Sequence, residues 1–332
     1  MPMKKFINAP DCLTAELLEG FAVAFGRKVV LRGKTVYRAE PKSDDKVALV
    51  TLGGAGHEPA LSGFVGYGML DASVVGDIFA APGAPAVLEA LKTLRREAGT
   101  LLVILNHPGD VLAGNMAYDM AVRQGIPVRK LLTHEDISAG AGAPMESRRG
   151  LVGCVPLYKI AGAAAEAGRS LDEVAAVAER FNENLRTLAV AVTPATHPAS
   201  GTVIGQIADD EMEVGMGQHG EGGGGVMKLA SADETARIML DRLLDTTDVR
   251  AGDKLFVMVN GSGATTMMEM LIVLRAVKRL LDQRGVELAR SMVGEYLTVQ
   301  EMGGFQLCIA KLDDEMIEYL DAPCDTPAWT VR

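Results

Sequence analysis

Short apolar runs, separated by longer stretches with helical spacing, constrain this chain more than any other feature. Val47–Leu52, Ser73–Val75, Leu101–Leu105 and Val128–Leu132 read as strands. Between them Val87, Leu88, Leu91 and Leu94 share one helical face, with Pro85 near its start and Gly99 as its stop. A second helix is expected from Val111 to Gln124, between Asp110 and Gly125. Strand alternating with helix is the pattern of α/β proteins. Ser170 with Glu173 and Ser231 with Glu234 have the spacing of capping boxes, and the first opens a helix towards Arg186. Leu188–Val192, Lys254–Val259, Ser291–Thr298 and Phe305–Leu312 read as further strands, and a long helix runs from Thr266 to Arg284 before Gly285.

A chain of 332 residues can bury two cores. The expectation is two α/β domains, each with a mixed or mostly parallel sheet flanked by helices. Residues 1–185 carry the loops Gly53–Pro59 and Asn106–Asp110; residues 186–332 carry a loop around His219. The net charge of −10 argues against a nucleic-acid or anionic-membrane surface. No stretch approaches the roughly 18 consecutive apolar residues of a membrane span, and no signal peptide is read at the start. Cys12, Cys154, Cys308 and Cys324 are scattered without a CxxC pair, so reduced thiols in the cytoplasm are expected.

Chemistry concentrates in three glycine-bearing loops. Gly53-Gly54-Ala55-Gly56-His57-Glu58-Pro59 follows a strand and lets backbone approach a ligand closely. A dinucleotide fingerprint would need glycine where Pro59 stands, and a phosphate loop ending in Gly33-Lys34-Thr35 would need glycine where Lys28 stands. The second loop is Asn106-His107-Pro108-Gly109-Asp110, where Asp110 either caps the next helix or does chemistry. The third runs from Gly215 through His219 to Gly225. Its histidine has little side-chain cover, and His219-Gly220-Glu221 alone is too little for a metal site, so none is expected. Three of the five histidines thus lie in loops of the kind where α/β sheets place ligands, which points to a histidine-based small-molecule site.

At these loops the sequence resembles the substrate-binding subunit of dihydroxyacetone kinases. The matching segments include Lys4-Lys5-Phe6-Ile7-Asn8, Gly53–Pro59, Gly109-Asp110, Arg148-Arg149-Gly150, Glu211-Met212-Glu213, Gly217–Glu221, Asn260-Gly261, Gly263-Ala264-Thr265, Asp321-Ala322-Pro323 and Thr326-Pro327-Ala328. The resemblance implies a two-domain α/β subunit, commonly a homodimer, in which His219 adds to a small hydroxyketone as a hemiaminal. It implies His57 as general base, with Asp110 orienting it or sharing the proton, and Gly54, Ala55, Gly56 and Leu105 around the substrate. The phosphoryl donor, ATP or an ADP with Mg²⁺ recharged by a phosphotransferase-system phosphocarrier, is expected on a separate helical subunit and not on this chain. The chain is expected to end too soon for that helical domain. Leu105, His107 and Pro108 stand where the family reads lysine, tyrosine and threonine, and Gly222 where it reads proline. These departures make an erythrulose kinase subunit an alternative, and a non-catalytic ketose sensor is a second one.

Overall fold

The computed structural model describes residues 4–140 and 142–332. Helix α1 (Leu13–Phe25) precedes the six strands of the first sheet. These are β1 (Val29–Arg32), β2 (Thr35–Arg38), β3 (Ala48–Ala55), β4 (Ala72–Ile78), β5 (Thr100–Leu105) and β6 (Val128–Thr133), in the order β1-β2-β4-β3-β5-β6. The last four in that order are parallel; β1 and β2 form a hairpin that extends the sheet antiparallel. Period-two alternation decides what each face meets. On β5, Leu102 and Ile104 join a core with α2 (Ala84–Thr93) and α3 (Pro108–Arg123). Leu101, Val103 and Leu105 join another with α4 (Cys154–Glu166) and α5 (Leu171–Asn184).

Helix α5 runs directly into β7 (Leu185–Thr193), the first strand of the second sheet. A short ribbon, β8 (Ala195–Thr196) and β9 (Val203–Ile204), is followed by β10 (Glu211–Val214), β11 (Val226–Lys228), α6 (Ala232–Leu244) and β12 (Lys254–Gly261). Helix α7 (Met267–Gln283), β13 (Glu287–Gly294), β14 (Gly303–Leu312) and α8 (Asp314–Asp321) complete it. The order is β11-β10-β7-β14-β12-β13, antiparallel except for the β12–β13 pair. Leu255, Val257 and Val259 face α6 and α7, whereas Phe256 and Met258 share the core of α4 and α5. Those two helices therefore serve both sheets. The chain closes with β15 (Cys324–Asp325) and β16 (Thr330–Val331), stitched to the first half by Asp325 N–H to Tyr67 O at 3.0 Å and Ala328 N–H to Gly63 O at 2.9 Å.

Several boundaries differ from the sequence reading. Helix α2 stops at Thr93, and Gly99, at φ +83°, instead turns the chain into β5. The expected strand Ser291–Thr298 is β13, ending at Gly294, because Asn260 Oδ1 takes the amides of Tyr296 and Leu297 and peels the chain off the ladder. Ser170 and Glu173 form a complete capping box. Ser231 accepts from Glu234 N, but the Glu234 carboxylate bonds Arg237 instead, so that box is half made. Among the described residues no helix is long and apolar enough to cross a membrane.

Candidate active site

Strand β3 delivers the first loop. Its glycines are required by the protein's own packing: a Cβ on Gly54 would lie 2.7 Å from Ala80 N, and one on Gly56 2.8 Å from the Phe79 ring. Gly56, at φ +104°, donates its N–H to the Glu58 carboxylate at 3.0 Å, and Ala55 O accepts from Phe79 N. The close backbone approach expected for a ligand at Gly54–Gly56 is thus made by the Asp77–Ala80 turn.

The turn that follows aims His57 across the molecule. Its Nδ1 lies 2.8 Å from Thr298 O, and a carbonyl can only accept, so the ring proton sits on Nδ1. The bare Nε2 then faces His219 Nε2 at 3.2 Å. Phe79 walls the pair, with ring centroids 4.8 Å from His57 and 5.6 Å from His219. The expectation that Asp110 orients His57 is not met; the Thr298 carbonyl does so.

Strand β5 delivers the second loop. Leu105, as its last residue, points into the α4–α5 core, so the structure does not bring its side chain to the histidines. Pro108 opens α3 with His107 as its N-cap, and no side chain caps that helix. Asp110 lies in the first turn, buried, with Oδ1 lacking any hydrogen-bond partner. The capping reading therefore fails. His107 Nε2 is 2.8 Å from Gly150 O, which places a proton on it, and its ring centroid is 5.1 Å from that of His219. Gln218 reaches the same nitrogen at 2.9 Å, and its amide meets an N–H there only with the oxygen turned inward.

The third loop is tied down by Arg149. Its guanidinium bonds Asp136 at 2.6 Å, Ser138 Oγ at 2.8 Å, Gly215 O at 2.8 Å and Glu221 O at 3.2 Å. It also lies 3.6 Å from Glu221 Oε1. The other Glu221 oxygen accepts the His219 main-chain N–H at 2.8 Å, and Oε1 is 3.7 Å from His219 Nδ1. A Cβ on Gly217 would overlap both the Glu221 carboxylate and Arg149, so only glycine leaves room for this clamp.

Burial dominates the electrostatics. It pushes His57 down to about 3, helped by the charge of His219, and His107 down to about 4 for the same two reasons. Burial raises Asp110 to about 7, against an opposing pull from His219. For Glu221 burial would raise the carboxyl, but hydrogen bonds, His219 and Arg149 outweigh it and hold it at about 2. His57 and His107 are thus held neutral in a site that also contains an ionised carboxylate. His107, His219 and Glu221 each place a donor atom within 4.8 Å of the others, a set able to reach a metal ion. Each side chain already has a protein partner, however: Gly150 O for His107, His57 for His219, and a main-chain amide for Glu221.

The Dak1 domain model matches residues 19–328. The chain belongs to the Dak1 family. It is 39% identical, over 98% of its length and 100% of the relative's, to the dihydroxyacetone-binding subunit of PTS-dependent dihydroxyacetone kinase 1 from Listeria innocua. It is 36% identical to the D-erythrulose kinase of Mycolicibacterium smegmatis, covering 98% of this chain and 56% of that one. Among solved structures, the dihydroxyacetone kinase operon co-activator Dha-DhaQ superposes with a TM-score of 0.90 at 31% identity, over 95% of this chain and 98% of the other.

For a Dak1 protein the site holds members that sequence reasoning passed over. Thr298 acts through a carbonyl, which leaves no side-chain signal. Phe79 adopts φ +54°, invisible in sequence. Arg149, Gln218 and Glu221 were visible in the matched motifs, but the fold alone shows what they hold.

Proposed function

We propose that this chain is the ketose-binding subunit of a kinase, capturing a short hydroxyketone on His219 as a hemiaminal while a partner nucleotide-binding subunit phosphorylates its terminal hydroxyl. The observation that carries the reading is the 3.2 Å pair of His57 and His219. It sets His219 beside a neutral imidazole whose Nε2 can accept a proton, as covalent capture followed by proton removal requires. Covalent fixation holds the hydroxyl still for in-line transfer, and it rejects glycerol, which has no carbonyl. Asp110, buried and raised to about 7, is the second candidate acceptor for the hydroxyl proton. The ketone has three or four carbons in this reading, in keeping with the names of the two kinase relatives.

The test is intact mass spectrometry after trapping with dihydroxyacetone or erythrulose. A single adduct is expected, absent from His219→Ala; an adduct that survives the substitution overturns the assignment. A non-catalytic ketose sensor is favoured by the likeness to the co-activator structure. Against it stands Asp110, since a sensor needs capture but no proton acceptor. Phosphorylation of trapped ketone when a nucleotide-binding subunit is added separates the two.

A further inference from the structure

His57 and Glu221 pull on opposite sides of the same ring. With its proton on Nδ1, bonded to Thr298 O, His57 can only accept at Nε2, and it therefore draws a proton onto His219 Nε2. A His219 protonated there has no lone pair where a carbonyl carbon must bond. On the far side Glu221 Oε1 faces Nδ1 at 3.7 Å, within ion-pair range though longer than a hydrogen bond, and its other oxygen is pinned by the His219 main-chain N–H at 2.8 Å. Arg149 fixes this carboxylate from behind, itself anchored on Asp136, Ser138 and Gly215.

We propose that Glu221, clamped by Arg149, is a positioning residue that holds the His219 proton on Nδ1 and so leaves Nε2 bare for carbon–nitrogen bond formation. The inference deepens the covalent reading above and rests on it. In the step itself the Nε2 lone pair bonds the carbonyl carbon and the carbonyl π pair moves to oxygen, which takes a proton from water. The ring, still carrying Nδ1–H, is an imidazolium facing the Glu221 carboxylate until that proton passes to the hydroxide left behind. The carboxylate thus serves twice, selecting the tautomer before attack and balancing the ring charge after it. A carboxylate that fixes an imidazole tautomer has the same logic in hydrolase triads, where the corresponding amide substitution removes most of the activity.

Glu221→Gln is the decisive variant. Its amide oxygen goes to the obligate donor, the His219 main-chain N–H, which turns the NH₂ towards Nδ1 and forces the ring proton onto Nε2. Two measurements are made on the full chain. Ring ¹⁵N NMR of ketone-free protein, recorded on the neutral ring at alkaline pH, is expected to show a bare Nε2 in wild type and a bare Nδ1 in the variant. The rate of dihydroxyacetone capture, followed by mass spectrometry, is expected to fall at least about tenfold. A merely structural role would slow capture without exchanging the two nitrogen signals. The same tautomer in both proteins, or unchanged capture, overturns the proposal. Absence of any adduct in wild type would instead sink the covalent reading, while the NMR comparison still decides the role of Glu221. Should Glu221→Gln fail to fold, Arg149→Met, which frees the carboxylate without removing it, is expected to give mixed tautomers; a pure wild-type pattern there counts against the clamp.

Discussion

His57 Nε2 and His219 Nε2 stand 3.2 Å apart although 162 positions separate them in the chain. The proposed site needs both sheets, because the first supplies His57 and Asp110 and the second supplies His219.

Replacing the proposed base, His57, should uncouple capture from transfer. His57→Asn is expected to retain adduct formation while phosphoryl transfer, measured with the partner subunit in excess, falls ~10²–10⁴-fold, the usual worth of general-base catalysis. Loss of the adduct itself would assign His57 to capture.

Asp110→Asn separates chemistry from stability. Turnover is expected to drop by at least about a hundredfold. The folded carboxyl is raised from 3.8 to about 7, so the folded state holds its proton more tightly than the unfolded chain. Stability is therefore lost as pH rises from 4 towards 7, by roughly 4 kcal/mol at most. Asparagine carries no such penalty, so the variant should melt above wild type at pH 8, and the gap should close towards pH 4. Equal melting temperatures across that range would show Asp110 to be solvated.

Glu135 supports the second loop from below. One oxygen accepts the amides of Leu151 at 2.6 Å and Gly153 at 3.0 Å, beside the Gly150 carbonyl that fixes His107. Burial raises this carboxyl to about 7. Glu135→Ala strands two buried donors and is expected to cost about 2–5 kcal/mol in denaturant unfolding. Glu135→Gln keeps an acceptor and loses the burial penalty, so it should be as stable as wild type at pH 5 and more stable at pH 8.

Gly217→Ala probes the clamp without touching a titratable group. The added Cβ collides with Glu221 and Arg149. Circular dichroism is expected to be unchanged, while ketone capture falls at least tenfold. Normal capture would mean the loop can shift without consequence.

Much of the fold was legible from local pattern. Leu101–Leu105 and Lys254–Val259 are unbroken apolar runs, which is how strands covered on both faces read, and both are strands here. Helix α4 escaped because nearly every residue from Cys154 to Ala165 is buried, so no polar face marks a period. The hairpin β1–β2 escaped because its strands have four residues each, and the Gly33 that turns it at φ +59° was weighed only as part of a phosphate loop. At the site, residue type announced His57, His107 and His219. That Asp110 lies inside α3 and does not precede it depended on Pro108 opening the helix two residues earlier, and that Leu105 turns away depended on strand parity.

The last residues of the chain bear on how the protein tolerates substitution. Gly66 and Gly68 lie so close to the Pro323–Thr326 backbone that a side chain on either would collide with it, and Gly63 O holds Ala328 just beyond the loop that carries His57. Residues 323–328 thus brace the turn that follows His57. A substitution that loosens Ala328 would act through Gly63 on the Pro59 turn. Its damage would appear as impaired proton transfer in a protein that otherwise folds and captures ketone normally.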